Sequence, residues 1–330
     1  MAILVTGGAG YIGSHTVAEL LERGEEVVVI DNFLTGHREA LLGGKLYEGD
    51  LRDKELLATI FSENNITAVI HFAASSLVGE SMQNPSKYYD NNVYGAMCLL
   101  EEMQKAGVSN IVFSSTAATY GEPDKVPIEE TDRTEPANVY GETKLVMERM
   151  MSWFDKVHSI RYVALRYFNA AGAHASGKIG EDHRPESHLV PLVLQTALGQ
   201  RQHISVFGDD YPTEDGTCVR DYIHVSDLAD AHVKAVEYLA GGGDSNVFNL
   251  GNGQGFSVKQ VIETAKQVTG RDIPAVIEPR RSGDPAVLVA SSAKARSVLG
   301  WTPTRDRLED IIASAWQWHE SKPQGYGDHE

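Results

Sequence analysis

Short apolar runs alternate with longer amphipathic stretches through the first half of the chain. AILVT (2–6), EVVVID (26–31), AVIHFA (68–73) and NIVFSS (110–115) are rich in β-branched residues and show no polar alternation. That is the pattern of strands covered on both faces, as in a parallel sheet. Between them, IGSHTVAELLERG (12–24) and YGAMCLLEEMQKAG (94–107) space apolar residues at the helical period and end at glycine, a frequent helix stop. Strand, helix, strand in repetition predicts an α/β fold with a Rossmann-like doubly wound parallel sheet.

The rhythm breaks after Asn169. NAAGAHASGKIGEDHRPESH (169–188) is rich in glycine, histidine and charge, and reads as a long loop of the kind that carries function. The last third has shorter elements, SVKQVIETAKQVTG (257–270), KARSVLG (294–300) and LEDIIASAWQWH (308–319), expected to form a smaller C-terminal α/β substrate domain that closes over the first. The tail SKPQGYGDHE is expected to fray.

With 42% of its 330 residues hydrophobic, the chain can build one large core or two ordinary ones. A formal net charge of -17 argues against nucleic-acid or anionic-membrane partners, yet leaves room for a small anion held by a few arginines. Cys98 and Cys218 have no paired spacing, so neither a disulfide framework nor a zinc site is suggested, which fits a cytoplasmic protein. No signal peptide and no membrane-spanning apolar run is read.

VTGGAGYIGSH (5–15) joins the first strand to the first helix. It reads as Gly8-x-Gly10-x-x-Gly13 or as Gly7-x-x-Gly10-x-x-Gly13. Either way the glycines let backbone approach a pyrophosphate at a helix N-terminus. Asp31, ending the second strand, can accept the ribose hydroxyls of an adenosine and repel a 2′-phosphate, which favours NAD over NADP. Asp50 and Leu51 suit the adenine edge. Farther along, Tyr140 and Lys144 stand four residues apart on one helical face. Thr116 follows the NIVFSS strand, at the carboxyl edge where such sheets bind ligands. The histidines show no His-Glu-x-x-His spacing, so no catalytic metal is expected.

TGGAGYIG (6–13), Asp31-Asn32, HFAA (71–74), SSTAATYG (114–121), YGETK (140–144) and LRYFNAAGAH (165–174) occur in that order. Together they resemble the extended short-chain dehydrogenase/reductase family. VFGDDYPTEDGTCVRDYIHVSDLA (206–229), FNLGNGQGFSV (248–258) and RRSGD (280–284) narrow the likeness, over essentially the whole chain, to members acting on UDP-sugars.

The resemblance implies reversible inversion at C4 of UDP-glucose and UDP-galactose through a 4-keto sugar, with tightly bound NAD, in a homodimer for which 86–103 is a candidate contact. It implies Tyr140 and Lys144 as the catalytic pair, with Thr116 as third member; Thr116 and Tyr140 would also meet the sugar. Gly7, Gly10, Tyr11, Ile12, Gly13, Asp31, Asn32, Asp50, Leu51, Phe72, Ala73, Ala74 and Asn91 would line the NAD site, with Lys144 and Phe168 also touching the cofactor. Asn169, His188, Leu189, Phe207, Arg220, Arg281 and Asp284 would hold the UDP-sugar, the two arginines at its pyrophosphate.

Because the family exchanges a segment between domains, residues 1–170 plus about 222–248 are expected to bind NAD, and 171–221 with 249–330 the UDP-sugar. Two departures stand out. AASSLVGES (73–81) lacks the lysine that many members place near Ser76 on the cofactor side, and His188 replaces a common asparagine at the uracil side.

The chemistry needs a base. A free tyrosine ionises near ~10, and lowering that to about 7 takes about 4 kcal/mol. Lys144 is expected to supply part, and the positive nicotinamide ring more. A nucleotide-sugar 4,6-dehydratase would need an acid and a base after the threonine, where Ala117 and Ala118 stand. A UDP-glucuronate or UDP-N-acetylglucosamine 4-epimerase differs less. Leu288, at the position that limits bulk, favours the unsubstituted hexoses. A non-catalytic NAD sensor would not need Tyr140, Lys144 and Thr116 together.

Overall fold

The computed structural model describes residues 2–281 and 284–327. Its elements begin with β1 (Ala2–Thr6), α1 (Tyr11–Glu22), β2 (Glu26–Asp31), β3 (Lys45–Glu48), α2 (Lys54–Glu63) and β4 (Ile66–His71). Next come α3 (Val78–Gln83), α4 (Pro85–Tyr88), α5 (Gly95–Ala106), β5 (Asn110–Thr116), α6 (Val139–His158) and β6 (Arg161–Tyr167). The chain continues through β7 (Asn169–Ala171), α7 (Leu189–Ala197), β8 (Ile204–Phe207), β9 (Val219–Arg220), β10 (Tyr222–His224), α8 (Val225–Ala240) and β11 (Asn246–Leu250). It closes with β12 (Phe256–Ser257), α9 (Val258–Thr269), β13 (Ala275–Glu278), β14 (Val287–Leu288) and α10 (Leu308–Ser321).

Seven strands form one parallel sheet in the order β11-β6-β5-β4-β1-β2-β3. Both faces are covered, as the unbroken apolar runs require. Ile3, Val5, Val27 and Val29 pack with α1 and α8 residues such as Val17, Leu20 and Leu228. Their neighbours Ala2, Leu4, Val28 and Ile30 pack with Leu57, Leu99, Met103 and Met147 from α2, α5 and α6. Strand order reverses between β1 and β4, the place where such sheets open a ligand crevice at their carboxyl ends. The remaining strands make small sheets, β12-β9-β14, β13-β8 and β10-β7. A third core joins α7, α9 and α10 through Val193, Leu194, Val261, Ile262, Ile311 and Ile312.

Several expectations shift. The third apolar run forms β4 two residues early and stops at His71. Phe72 and Ala73 leave the strand because both N–H groups donate to the Thr6 carbonyl, at 2.9 and 3.1 Å. The stretch 169–188 is not loop throughout: β7 pairs in parallel with β10, and the Asn169 amide side chain donates to the Asp221 carbonyl at 3.1 Å. The tail is anchored as far as Gly327. Gly180 N–H donates to the Tyr326 hydroxyl at 3.1 Å, and the Tyr326 ring lies 4.8 Å from that of Trp318. Residues 328–330 of the expected frayed tail lie outside the described residues.

Cys98 and Cys218 are buried free thiols. Among the described residues, no helix is long and apolar enough to cross a membrane.

Asp227, 4% exposed in the first turn of α8, ties the C-terminal segment to the sheet's helical cover. Its carboxylate accepts from Thr304 N–H at 3.0 Å, the Thr304 hydroxyl at 2.8 Å and Arg305 N–H at 2.8 Å. Its carbonyl accepts from the indole of buried Trp301 at 2.9 Å. Asp227→Ala strands the Thr304 and Arg305 donors, leaves the Trp301 bond to the backbone carbonyl, and is predicted to cost roughly 2–4 kcal/mol. Urea denaturation checks this; a loss below about 0.5 kcal/mol would show the tether to be dispensable.

Candidate active site

The turn after β1 is tight at its glycines. Gly7 has φ +69°, and a Cβ there would lie 2.6 Å from Ala73 N. A Cβ on Gly13 would lie 2.1 Å from the Gly7 carbonyl oxygen, so the helix packs onto the turn only without one. Gly10, the residue before α1, would bring a Cβ only to ordinary contact, 3.4 Å from the Gly7 carbonyl oxygen. A Cβ on Gly8 would lie 2.8 Å from the Val29 side chain, so both glycine readings name positions where the turn leaves little room for a side chain. No side chain caps α1 and no acidic residue stands in its first turn, so the N–H groups of Tyr11, Ile12 and Gly13 suit an anion.

Asp31, 8% exposed, braces this turn. Its oxygens accept from Ala9 N–H at 2.9 Å and Phe33 N–H at 2.8 Å. Burial pushes its carboxyl above the ordinary range, while these N–H groups pull it back. Asn32 donates to Asp50 at 3.0 Å. The Arg52 guanidinium, 2.8 and 2.7 Å from the two Asp50 oxygens, holds that carboxyl down at about 2. Leu51 belongs to the core beneath α5. Phe72, Ala73 and Ala74 run beside Gly7 with partial exposure, and Ser76 is exposed. These residues offer a dinucleotide a glycine cradle, an uncapped helix end and a carboxylate, and they fit NAD.

The second half of the site is the start of α6. The Asn138 side chain caps it by accepting from Gly141 N–H at 2.9 Å. Gly141 presses on the segment after β5, where an added Cβ would come within 2.5 Å of the Ala118 carbonyl oxygen. That approach sets Tyr140 beside Thr116, which is 8% exposed at the end of β5. Burial pushes the Tyr140 phenol up to about 12, against a hydrogen bond with Thr116 that pulls it down.

Lys144 is 3% exposed, and its Nζ donates to the Ser114 carbonyl at 2.9 Å. Nζ lies 5.9 Å from the centre of the Tyr140 ring. Burial pushes this ammonium down to about 7, and Glu148 one turn on opposes that. The lowering expected from Lys144 together with a bound nicotinamide ring is thus set against a phenol that burial alone holds high. The lysine spends a donor on backbone, and desolvation dominates both groups.

Two contributors were missed in the sequence. Glu148, 5% exposed, continues the Tyr140–Lys144 face by another turn. It accepts from the Ser115 hydroxyl at 2.5 Å and from Arg166 at 2.9 and 2.5 Å. The i, i+4, i+8 spacing was the available signal. Asn92, fully buried in a π-helical turn (Tyr89–Tyr94), ties the β4 end to α6. It accepts from Ser75 N–H at 2.8 Å and donates to the Thr143 hydroxyl at 3.2 Å. The expected residue, Asn91, donates to the Ser75 hydroxyl at 3.3 Å. A polar pair inside a helical stretch was the only hint.

Toward the C-terminal part, Phe168 and Leu288 pack against Ala117, Tyr120 and Ile128. Arg220 pairs with Asp284 at 2.5 Å, and Leu288 is opposite Arg220 between β14 and β9. The Arg281 guanidinium covers the Phe207 ring at 3.8 Å, and Asp284 N–H reaches the Arg281 carbonyl at 3.4 Å. The fold thus gathers Phe207, Arg220, Arg281 and Asp284. Asn169 is fixed on Asp221, and Leu189 starts α7 against the third core. His188 is exposed and directs Nδ1 at Glu181, 2.6 Å away.

A protein of Halalkalibacterium halodurans named UDP-glucose 4-epimerase is 61% identical over 326 residues, 99% of this chain and 98% of its own. A solved UDP-glucose 4-epimerase structure, 56% identical, superposes with a TM-score of 0.98 over 99% of this chain and 100% of that one. The Brucella ovis UDP-glucose 4-epimerase in complex with NAD is 46% identical, with a TM-score of 0.94 over 96% and 97% of the two chains. The model of the NAD dependent epimerase/dehydratase family matches residues 3–251. With its glycine cradle, its Tyr140–Thr116–Lys144 group and these likenesses, the chain belongs to the NAD dependent epimerase/dehydratase family.

Proposed function

We propose that this protein reversibly inverts the C4 hydroxyl of UDP-glucose and UDP-galactose through a 4-keto sugar. The observation that carries the reading is the placement of Tyr140 and Thr116 together at the carboxyl edge of the sheet, over a buried Lys144. NAD, when bound, supplies the hydride acceptor and donor and a positive ring. Tyr140 takes the C4 hydroxyl proton and later returns it. Thr116 hydrogen-bonds the phenol and relays that proton. From about 12, ionising Tyr140 at neutral pH costs roughly 7 kcal/mol, more than Lys144 alone offsets. The Tyr140 base is therefore strong only once the positive nicotinamide ring is in place.

Residues 1–170 with about 222–248 serve as the NAD-binding part, and 171–221 with 249–330 as the UDP-sugar-binding part. Arg220 and Arg281 meet the pyrophosphate, as guanidinium forks suit phosphate oxygens. Dehydration is disfavoured because Ala117 and Ala118 bring no acid or base, and Ala118 is already packed under Gly141. In the assembled protein, α5 and the turn before it, where Tyr89 and Tyr94 are exposed, form a homodimer contact.

Tyr140→Phe is predicted to retain NAD and UDP binding while turnover falls at least about 100-fold. Near-normal turnover would remove Tyr140 from the proton-transfer role. In the NAD-loaded protein the Tyr140 phenol should ionise well below about 12, read as near-ultraviolet phenolate absorbance against the Tyr140→Phe background. Arg281→Ala should weaken UDP binding by roughly 10- to 100-fold with NAD content intact. Equal loss of both ligands in calorimetry would count against a pyrophosphate role. Light scattering should return a dimer mass, and a monomer mass across micromolar concentrations would refute that assembly.

A further inference from the structure

The loop between β7 and α7 holds a group of side chains that the reaction above does not use as a group. Glu181, His183, Glu186 and His188 each present a ligand atom, and these atoms all lie within 4.8 Å of one another. The spacing, Glu-x-His-x-x-Glu-x-His, differs from the His-Glu-x-x-His pattern of zinc proteases.

Three observations go beyond proximity. Both carboxylates are buried, with side-chain exposures of 4% for Glu181 and 6% for Glu186. Among the described residues, their ion-pair partners are the two histidines. The buried Nδ1 atom of His183 faces both carboxylates, 3.2 Å from Glu181 and 3.8 Å from Glu186, without a hydrogen bond of good geometry to either. A ring nitrogen held between two buried carboxylates without a well-formed hydrogen bond is the arrangement an ion between them would complete.

The distances suit that explanation. A tetrahedral zinc with bonds of about 2.0–2.1 Å separates its ligand atoms by about 3.3 Å. His188 Nδ1 is 2.6 Å from Glu181 Oε1 and 3.6 Å from Glu186 Oε1. His183 Nδ1 is 3.2 Å from Glu181 Oε1 and 3.8 Å from Glu186 Oε2. These four values straddle the tetrahedral edge, and the ligand atoms, which span up to 4.8 Å, would draw together around a bound ion. Without an ion the two histidines pair with the two buried carboxylates; a divalent cation would displace the imidazole protons and leave two negative charges to match its own. The scaffold is already in place. Glu181 is held through its carbonyl by the Trp318 indole at 3.2 Å, and Glu186 accepts from Ser187 and His188 N–H at 2.7 and 2.8 Å.

We propose that Glu181, His183, Glu186 and His188 bind one divalent transition-metal ion, zinc in the first instance, as a structural clamp. Nitrogen and carboxylate ligands in a closed four-coordinate set favour zinc without redox chemistry. The clamp fastens the β7–α7 loop against α1, since the Tyr11 ring stands edge-on to His183 with centres 6.1 Å apart. Among the described residues, none of the four ligands hydrogen-bonds Thr116, Tyr140 or Lys144, so the ion is distinct from the catalytic group.

The test uses full-length protein without a histidine tag, stripped with a chelator, dialysed and then titrated with zinc. Wild type should take up about one zinc per chain and melt at a higher temperature when loaded. His183→Gln/Glu186→Gln should lose at least about 100-fold in zinc affinity and lose the thermal response, while keeping bound NAD as evidence of folding. The single variant His183→Gln serves if the double variant does not fold. Cobalt in place of zinc should give the intense visible bands of a tetrahedral site. Equal zinc uptake by wild type and variant, no uptake at micromolar zinc, or weak octahedral cobalt bands would each overturn the proposal.

Discussion

The seat of α6 on the end of β5 is the contact on which the site depends. Gly141 allows the helix backbone to approach Ala118 at a distance no side chain would permit. Thr143 then reaches Asn92, and Lys144 reaches the Ser114 carbonyl, so the helix is held from the β4 and β5 ends together. Tyr140, one residue before the glycine, inherits its position from that seat. Its N–H is further fixed by the Ser81 hydroxyl at 3.2 Å.

Burying charge to achieve this has a consequence. Glu148 and Arg166 form an ion pair with side chains only 5% and 6% exposed, and the Arg166 guanidinium covers the Tyr120 ring at 4.8 Å. Such a pair is defended by its neighbours, since losing either partner strands a charge in a low-dielectric interior. Lys144 lies one turn before Glu148 and gains from its negative charge, but burial still drives the ammonium towards neutrality. The phenol is driven the other way by the same burial. A site that suppresses its own ionisation responds strongly to a positive ligand, because Coulomb interactions are little screened there.

The rest of the fold distributes recognition around this centre. The sheet's switch point brings Gly7 and Ala73 together, and the small sheets bring Arg220, Arg281 and Phe207 to one place. In a chain of net charge -17, two of the 29 lysines and arginines, Arg220 and Arg281, are brought together here, with Arg220 oriented by Asp284.

The sheet, the glycine turn and the helix carrying Tyr140 and Lys144 were all legible in the residues alone. Strands buried on both faces must be continuously apolar, Gly7 and Gly13 admit no Cβ, and the helical repeat puts Tyr140 and Lys144 on one face. Edge strand β3, only partly buried, carries too weak a pattern to be read with the others. Tertiary structure alone decided what surrounds the pair. Ser114, Asn92 and Arg166 come from separate elements, and no local period links them to α6. It also decided the fate of the histidine-rich loop and the tail, where Tyr326 packs on Trp318. Burial is a property of the assembled core, so the shift of Tyr140 up and Lys144 down had no local signature at all.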